Sequence, residues 1–259
     1  MRNTALVTGA SGGIGLELAR IFAARKTNLV LVARNKKRLV EIADNLRSQY
    51  RIQVYAIPLD LSTRDASLQL HEAVVGKGLT IHYLINNAGF GCFGQFLETS
   101  WDKEEAMLSL NVSTLTHLTK LFLPGMVKRG KGRILNVSST AAFQPGPLMA
   151  VYYATKAYVL SFSEAIANEL KGTGITVTVL CPGPTLSGFQ KAAVMEDSRL
   201  VRGKKLSTAE AVAQYGYDAM MLGKTVAIHG GRNWILANAS RVLPRSLVTA
   251  IVRRLSEVA

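Results

Sequence analysis

The chain has 259 residues, 48% of them hydrophobic, with two cysteines and a net charge of +14. That length and apolar content predict a packed α/β domain and exclude a disordered chain or a disulfide-built scaffold. The basic residues are spread along the whole sequence without a nucleic-acid-binding motif, and no apolar run reaches membrane-span length, so a soluble, cytoplasmic protein is expected.

In chain order, the apolar run Ala5-Leu6-Val7 predicts a first strand, and further strands follow near 29–32, 54–57, 83–85, 133–137, 176–180 and 225–228. These runs are almost continuously apolar, as strands buried on both faces are. Helical patterns lie between them at about 14–25, 35–49, 64–76, 101–129, 151–171 and 207–222. The long fourth helix is capped by Thr99 and Ser100, carries Asp102, Glu104 and Glu105 in its first turn, and closes at Pro124 and Gly130. Repeated alternation of strand and helix predicts right-handed crossovers and a doubly wound parallel sheet of about seven strands, helices on both faces. No linker divides the chain, so 1–259 reads as a single domain. The stretch 188–206 has little periodicity and reads as a mobile substrate lid.

Cys92 and Cys181 lie far apart and read as reduced thiols. His71, His82, His117 and His229 show no ligand spacing, so no metal is expected. The segment Thr8-Gly9-Ala10-Ser11-Gly12-Gly13-Ile14-Gly15 follows a strand and opens a helix. Glycines there let the backbone turn tightly against a pyrophosphate, while the helix N-terminus offers free N–H groups and positive potential. This predicts a dinucleotide site.

The spacing Gly9-x3-Gly13-x-Gly15, then Asn86-Asn87-Ala88-Gly89, Ser139, Tyr152-x3-Lys156 and Pro182-Gly183, all in this order, resembles the short-chain dehydrogenase/reductase family. The resemblance covers most of the chain. It implies a nicotinamide dinucleotide held by Gly9, Ser11, Gly13, Ile14 and Gly15, by Asp60 and Leu61 at the adenine, and by Asn87, Ala88 and Gly89. Tyr152, Lys156, Pro182, Gly183, Thr185 and Ser187 complete that set. It also implies that Ser139 polarises a carbonyl, that Lys156 holds the ribose hydroxyls, and that the backbone carbonyl of Asn111 holds a water in a relay to Lys156. A dimer or tetramer formed through the fourth and fifth helices is implied as well.

Where strand two ends, Val32-Ala33-Arg34-Asn35 carries no acid for a ribose hydroxyl. Arg34 can meet a 2′-phosphate with charge-assisted bonds, so NADP(H) is the expected cofactor. Tyr152 and Lys156 stand four apart on one helix face. A free tyrosine titrates near pH ~10, and a neighbouring ammonium should lower that value, making Tyr152 the general acid and base of hydride transfer. Tyr153 and Tyr158 have no lysine at the same spacing. Ser138 and Thr140 are the structural alternatives to Ser139, able to satisfy turn backbone.

Phe90, Phe93, Phe143, Gln144, Pro145, Leu148, Met149 and Phe189 are the expected pocket lining. They contain no charge, which points to a hydrophobic ketone or aldehyde, or the matching alcohol. From 241 to 256 an amphipathic basic helix is expected, with Arg241, Arg245, Arg253 and Arg254 among apolar residues. It docks on the domain or a second subunit, or touches an anionic lipid surface. The competing reading on the same fold is a catalytically silent protein that senses NADPH or lipid.

Overall fold

A computed structural model describes residues 2–189, 193, 206–240 and 242–257. The strands are β1 (Thr4–Thr8), β2 (Asn28–Ala33), β3 (Val54–Pro58), β4 (Tyr83–Asn86), β5 (Gly132–Val137), β6 (Ile175–Cys181), the short β7 (Thr185–Leu186) and β8 (Ser207–Thr208), and β9 (Val226–Ile228). Seven form one parallel sheet in the order β3-β2-β1-β4-β5-β6-β9, and β7 pairs with β8 beside it. The expected doubly wound sheet is present.

Side chains alternate across each strand. Ala5, Val7, Leu29 and Leu31 enter one core with the helices α1 (Gly13–Ala24), α2 (Lys36–Tyr50) and α7 (Ala209–Met221). Leu6, Val30 and Val32 enter the other, with α3 (Ala66–Val75), α5 (Leu115–Arg129) and the end of α6 (Ala150–Glu169). Burying a side chain such as Leu6 or Leu31 stabilises the fold by roughly 1.5–3 kcal/mol. β1 and β4 are neighbours from which the strand order runs outward in opposite directions. A crevice opens at the carboxyl ends of strands at such a reversal.

The long fourth helix differs from its expected form. It starts as α4 (Trp101–Leu108), widens into a π-helical turn at Ser109–Thr114, and resumes as α5. Pro124 lies inside α5 rather than closing it. Buried Phe122 and Met126 pin the helix on either side of it, and the end falls at Gly130, whose φ of 61° is left-handed. Ser100 occupies the N-cap without a side-chain bond, while the Thr99 hydroxyl donates to Glu104 Oε1 at 2.7 Å.

Two further helices end the described chain, α8 (Gly231–Ala239) and α9 (Arg245–Ser256). The sequence reading did not contain α8. Most of the stretch 188–206 lies outside the described residues.

Candidate active site

The glycine turn and the Asn86–Gly89 segment leave neighbouring strands and are tied together by Thr8. Its hydroxyl donates to the Ile85 carbonyl at 3.1 Å and accepts from the Asn87 and Ala88 amides, both at 3.0 Å. The Asn87 carboxamide donates back to the carbonyls of Thr8 and Gly9 at 2.9 and 3.3 Å. Gly9 turns with φ 67°, and a Cβ on Gly15 would collide with both the Gly9 oxygen and Asn87 Nδ2. The first turn of α1 has no side-chain cap and no acid. These features fit a dinucleotide: backbone packed where side chains would intrude, and free N–H groups at a positive helix end. Ser187 closes over the turn, 3.3 Å from where a Cβ on Gly13 would sit.

Arg34 follows β2 and is exposed. Its guanidinium lies 3.9 Å from Asp60 Oδ2. Asp60 Oδ1 accepts from the Ser62 amide and hydroxyl at 2.9 and 2.7 Å. Partial burial disfavours the carboxylate, but the Ser62 bonds and Arg34 outweigh it and hold the Asp60 pKa below its usual value. Leu61 is buried, and its carbonyl accepts from the Thr114 hydroxyl at 2.8 Å.

Tyr152 and Lys156 sit together in α6, 8 and 6% exposed. Lys156 Nζ lies 5.7 Å from the Tyr152 ring centre and donates to the Val137 carbonyl at 3.0 Å. Burial drives its pKa down to about 8, against a small opposing pull from Cys181. The expected lowering of the Tyr152 pKa does not occur. Burial raises it far above the ordinary tyrosine value, and the Ser139 hydroxyl beside the phenol offsets only part of this. The cause is desolvation of the phenolate, to which the neighbouring Tyr153 adds.

The two serines make different bonds. Ser138 is buried and donates to the Lys156 carbonyl at 2.8 Å, a structural bond. Ser139 faces Tyr152, caps the short helix Thr140–Phe143 through the Ala141 amide, and donates weakly to the Pro182 carbonyl at 3.4 Å. Thr140 gives its amide to the same carbonyl at 2.9 Å.

Asn111 lies in the π-helical turn, 1% exposed. Its side chain holds the Phe90 backbone both ways, accepting from N–H at 3.2 Å and donating to C=O at 2.9 Å. It also donates to Thr155 Oγ1 at 3.1 Å. A Cβ on Gly89 would lie 2.9 Å from Asn111 Oδ1 and 3.4 Å from Lys156 Nζ, so Gly89 brings the crevice floor close to the lysine. On the far side, Gly183 accepts from the Thr185 hydroxyl at 2.8 Å, and Ser187 Oγ accepts from the Phe189 amide at 3.3 Å.

Of the expected pocket residues, Phe90, Phe93, Met149 and Phe189 gather around Tyr152, the Phe189 ring 5.3 Å from it. Phe143 packs elsewhere, with Val159 and Leu160, and Gln144 ends the short helix behind it. Behind Met149 and Leu148 opens a cavity of about 230 Å³. Of the expected lining only Leu148 and Met149 reach this cavity, and Glu104 from α4 and Arg253 from α9 line it too. Leu148 at its edge has φ 67°, a strained value for a bulky side chain.

Several of the bonds that hold the site carried no sequence signal. Thr8 and Thr155 act through single hydroxyls. Beneath the site Asn86 donates to Thr119 and Asn136, and Asn136 donates on to Ser163, at 3.1, 2.9 and 2.9 Å. Val248 and Val252 of α9 pack into the cluster that holds Tyr152.

The chain matches the short chain dehydrogenase family over residues 3–197. It is 35% identical over 182 residues to the very-long-chain 3-oxoacyl-CoA reductase of Rattus norvegicus, covering 69% of this chain and 58% of that protein. It is 31% identical over 245 residues to the ketoacyl reductase HetN of Nostoc sp., covering 93% of this chain and 82% of that one. A short-chain dehydrogenase from Sphingobium yanoikuyae, solved in complex with NADPH, superposes with a TM-score of 0.83 at 31% identity over 95% of each chain. The chain spans little more than half the length of the rat enzyme. With a match to the family running from the first strand past the glycine turn, Tyr152 and Lys156, this chain belongs to the short-chain dehydrogenase/reductase family of oxidoreductases.

Proposed function

We propose that this chain is an NADP(H)-dependent oxidoreductase that reduces a hydrophobic ketone or aldehyde, or oxidises the matching alcohol. The observation that carries the reading is the buried phenol of Tyr152, set between the Ser139 hydroxyl and the Lys156 ammonium beside the glycine-rich crevice. A nicotinamide dinucleotide held by the glycine turn and Lys156 would supply or accept the hydride.

The residues do the rest. With its pKa raised, Tyr152 enters reduction as the protonated acid and gives its proton to the carbonyl oxygen. Ser139 donates to the same oxygen and steadies its developing charge. The phenolate left behind is stabilised by the charged Lys156, which deprotonates only near pH 8. Asn111 fixes Phe90 and, through Thr155, the start of α6, so it positions Tyr152 without touching the reacting atoms. Arg34 favours a 2′-phosphate, since a phosphate offers its guanidinium a closer partner than Asp60 at 3.9 Å. Phe90, Phe93, Met149 and Phe189 favour an apolar carbonyl compound and keep water from Tyr152. Exposed Val127 and Tyr158 on α5 and α6 favour a homodimer or homotetramer built on those helices.

The deciding experiment follows NADPH oxidation across a carbonyl panel, with Tyr152→Phe beside the wild type. Turnover should vanish in the variant while NADPH binding persists. A variant that keeps its rate overturns the mechanism. A wild type that binds NADPH but reduces no carbonyl returns the silent, sensing reading.

A further inference from the structure

The two helices that end the described chain carry more apolar surface outward than inward. In α8 only Ala237 is buried, while Trp234, Ile235 and Leu236 are 58, 62 and 57% exposed. In α9, Val248 and Val252 turn onto the cluster around Tyr152 and Met149. A second stripe at the same four-residue spacing, Leu247, Ile251 and Leu255, faces outward. The Val242 and Leu243 amides both donate to the Ala239 carbonyl at 3.2 Å, folding the connection between the helices into a tight turn.

Charge selects the occupant of this surface. From residue 231 to the end, the sequence holds Arg232, Arg241, Arg245, Arg253 and Arg254 against one acid, Glu257. A symmetric self-contact through this segment would set one cationic stretch against its own copy. An anionic bilayer instead offers apolar depth to the leucines and isoleucines, an interfacial level to Trp234, and phosphates to the arginines. We propose that α8 and α9 dock this protein on the surface of an anionic membrane. No helix among the described residues is long and apolar enough to cross one. Because Arg253 of α9 lines the cavity behind Met149, docking would hold one wall of that cavity against the lipid, where an apolar carbonyl compound dissolves.

The test floats the full-length protein with phosphatidylcholine vesicles, with and without phosphatidylglycerol. The wild type should float with the anionic vesicles. Each arginine near such a surface contributes about a five-fold gain in partitioning, so Arg245→Gln with Arg254→Gln should bind roughly 25-fold more weakly. Trp234→Ser/Ile235→Ser/Leu236→Ser should abolish flotation while its melting temperature and its turnover of a water-soluble carbonyl stay at wild-type values. In Trp101→Phe, Trp234 is the remaining tryptophan, and its emission should shift blue when anionic vesicles are added. Docking is overturned if the wild type stays with the unbound fraction, or if the triple variant floats as well as wild type. It is equally overturned if lipid-free protein forms a dimer that the triple variant dissolves.

Discussion

Thr8→Val isolates the clamp that joins the two halves of the crevice. Thr8 is 2% exposed, and valine keeps its branched shape while removing only the hydroxyl. The Asn87 and Ala88 amides then lose their acceptor, and the Ile85 carbonyl loses a donor. The carbonyl is buried and the two amides part-buried. An orphaned group costs about 1–3 kcal/mol when buried, so the two amides together cost at most about 2–6 kcal/mol. For a chain of this size each kcal/mol moves the midpoint by about 2–4 °C, so the fall should lie within about 4–24 °C. The same loss frees Asn87, whose carboxamide braces the Thr8 and Gly9 carbonyls, so dinucleotide affinity should drop with stability. Thermal melting followed by circular dichroism reads the first effect, and titration followed by nicotinamide fluorescence the second. A variant that melts and binds like wild type would refute the clamp. A destabilised variant with unchanged affinity would confine Thr8 to folding.

Lys156 makes activity and stability respond to pH with opposite signs. Its folded pKa, about 8, lies below the unfolded value of 10.5, so between those values the unfolded state holds more protons and stability rises with pH. The gain is about 3 kcal/mol when complete, and it should be absent in Lys156→Met. In the proposed mechanism carbonyl reduction uses the ammonium, and it should fall about ten-fold per pH unit above that folded value; a flat profile from neutral to alkaline pH would remove Lys156 from the chemistry. Ser139→Ala should cut turnover about 10²–10³-fold, as loss of an oxyanion donor does, with little change in melting. Ser138→Ala should do the reverse, because its hydroxyl serves the Lys156 carbonyl; equal kinetic losses would erase the division between the two. Arg34→Asp should shift the preference toward NADH by about ten-fold or more, on loss of a charge-assisted phosphate contact and gain of a ribose acceptor; an unchanged ratio of the two cofactors' kcat/KM would remove Arg34 from the cofactor site.

The sheet was legible because its strands are buried on both faces, which leaves runs such as Leu29-Val30-Leu31-Val32 with no polar gap. Tyr152, Lys156 and Ser139 were legible because a fixed spacing on a known strand–helix order carries them. Burial was not legible, and burial sets the sign of the Tyr152 pKa. Pro124 misled because a proline ends most helices, whereas here the packing of Phe122 and Met126 holds the helix through it. α8 escaped because Trp234, Ile235 and Leu236 are consecutive and face outward, so they leave no core-facing period. Glu104 and Arg253 share a cavity wall across about 150 residues of sequence, a meeting that no local pattern encodes.

The site therefore rests on two kinds of support. The cofactor side is built on strand ends and on short bonds, part-buried from Thr8 to Asn87 and Asn111 to Phe90 and buried from Lys156 to Val137. They anchor the crevice to strands whose removal from water stabilises the whole fold. The substrate side borrows α9, which holds the cluster around Tyr152 through Val248 and Val252 and exposes its next stripe. Two buried valines and the buried Ser256, which hydrogen-bonds Tyr153, form a smaller anchor than the β-sheet core. Moving α9 outward at Met149 should therefore cost less than any change in the glycine turn. Substitutions on α9 should thus alter which carbonyl compound is accepted while leaving dinucleotide binding as it is, a separation that follows from where the buried area lies.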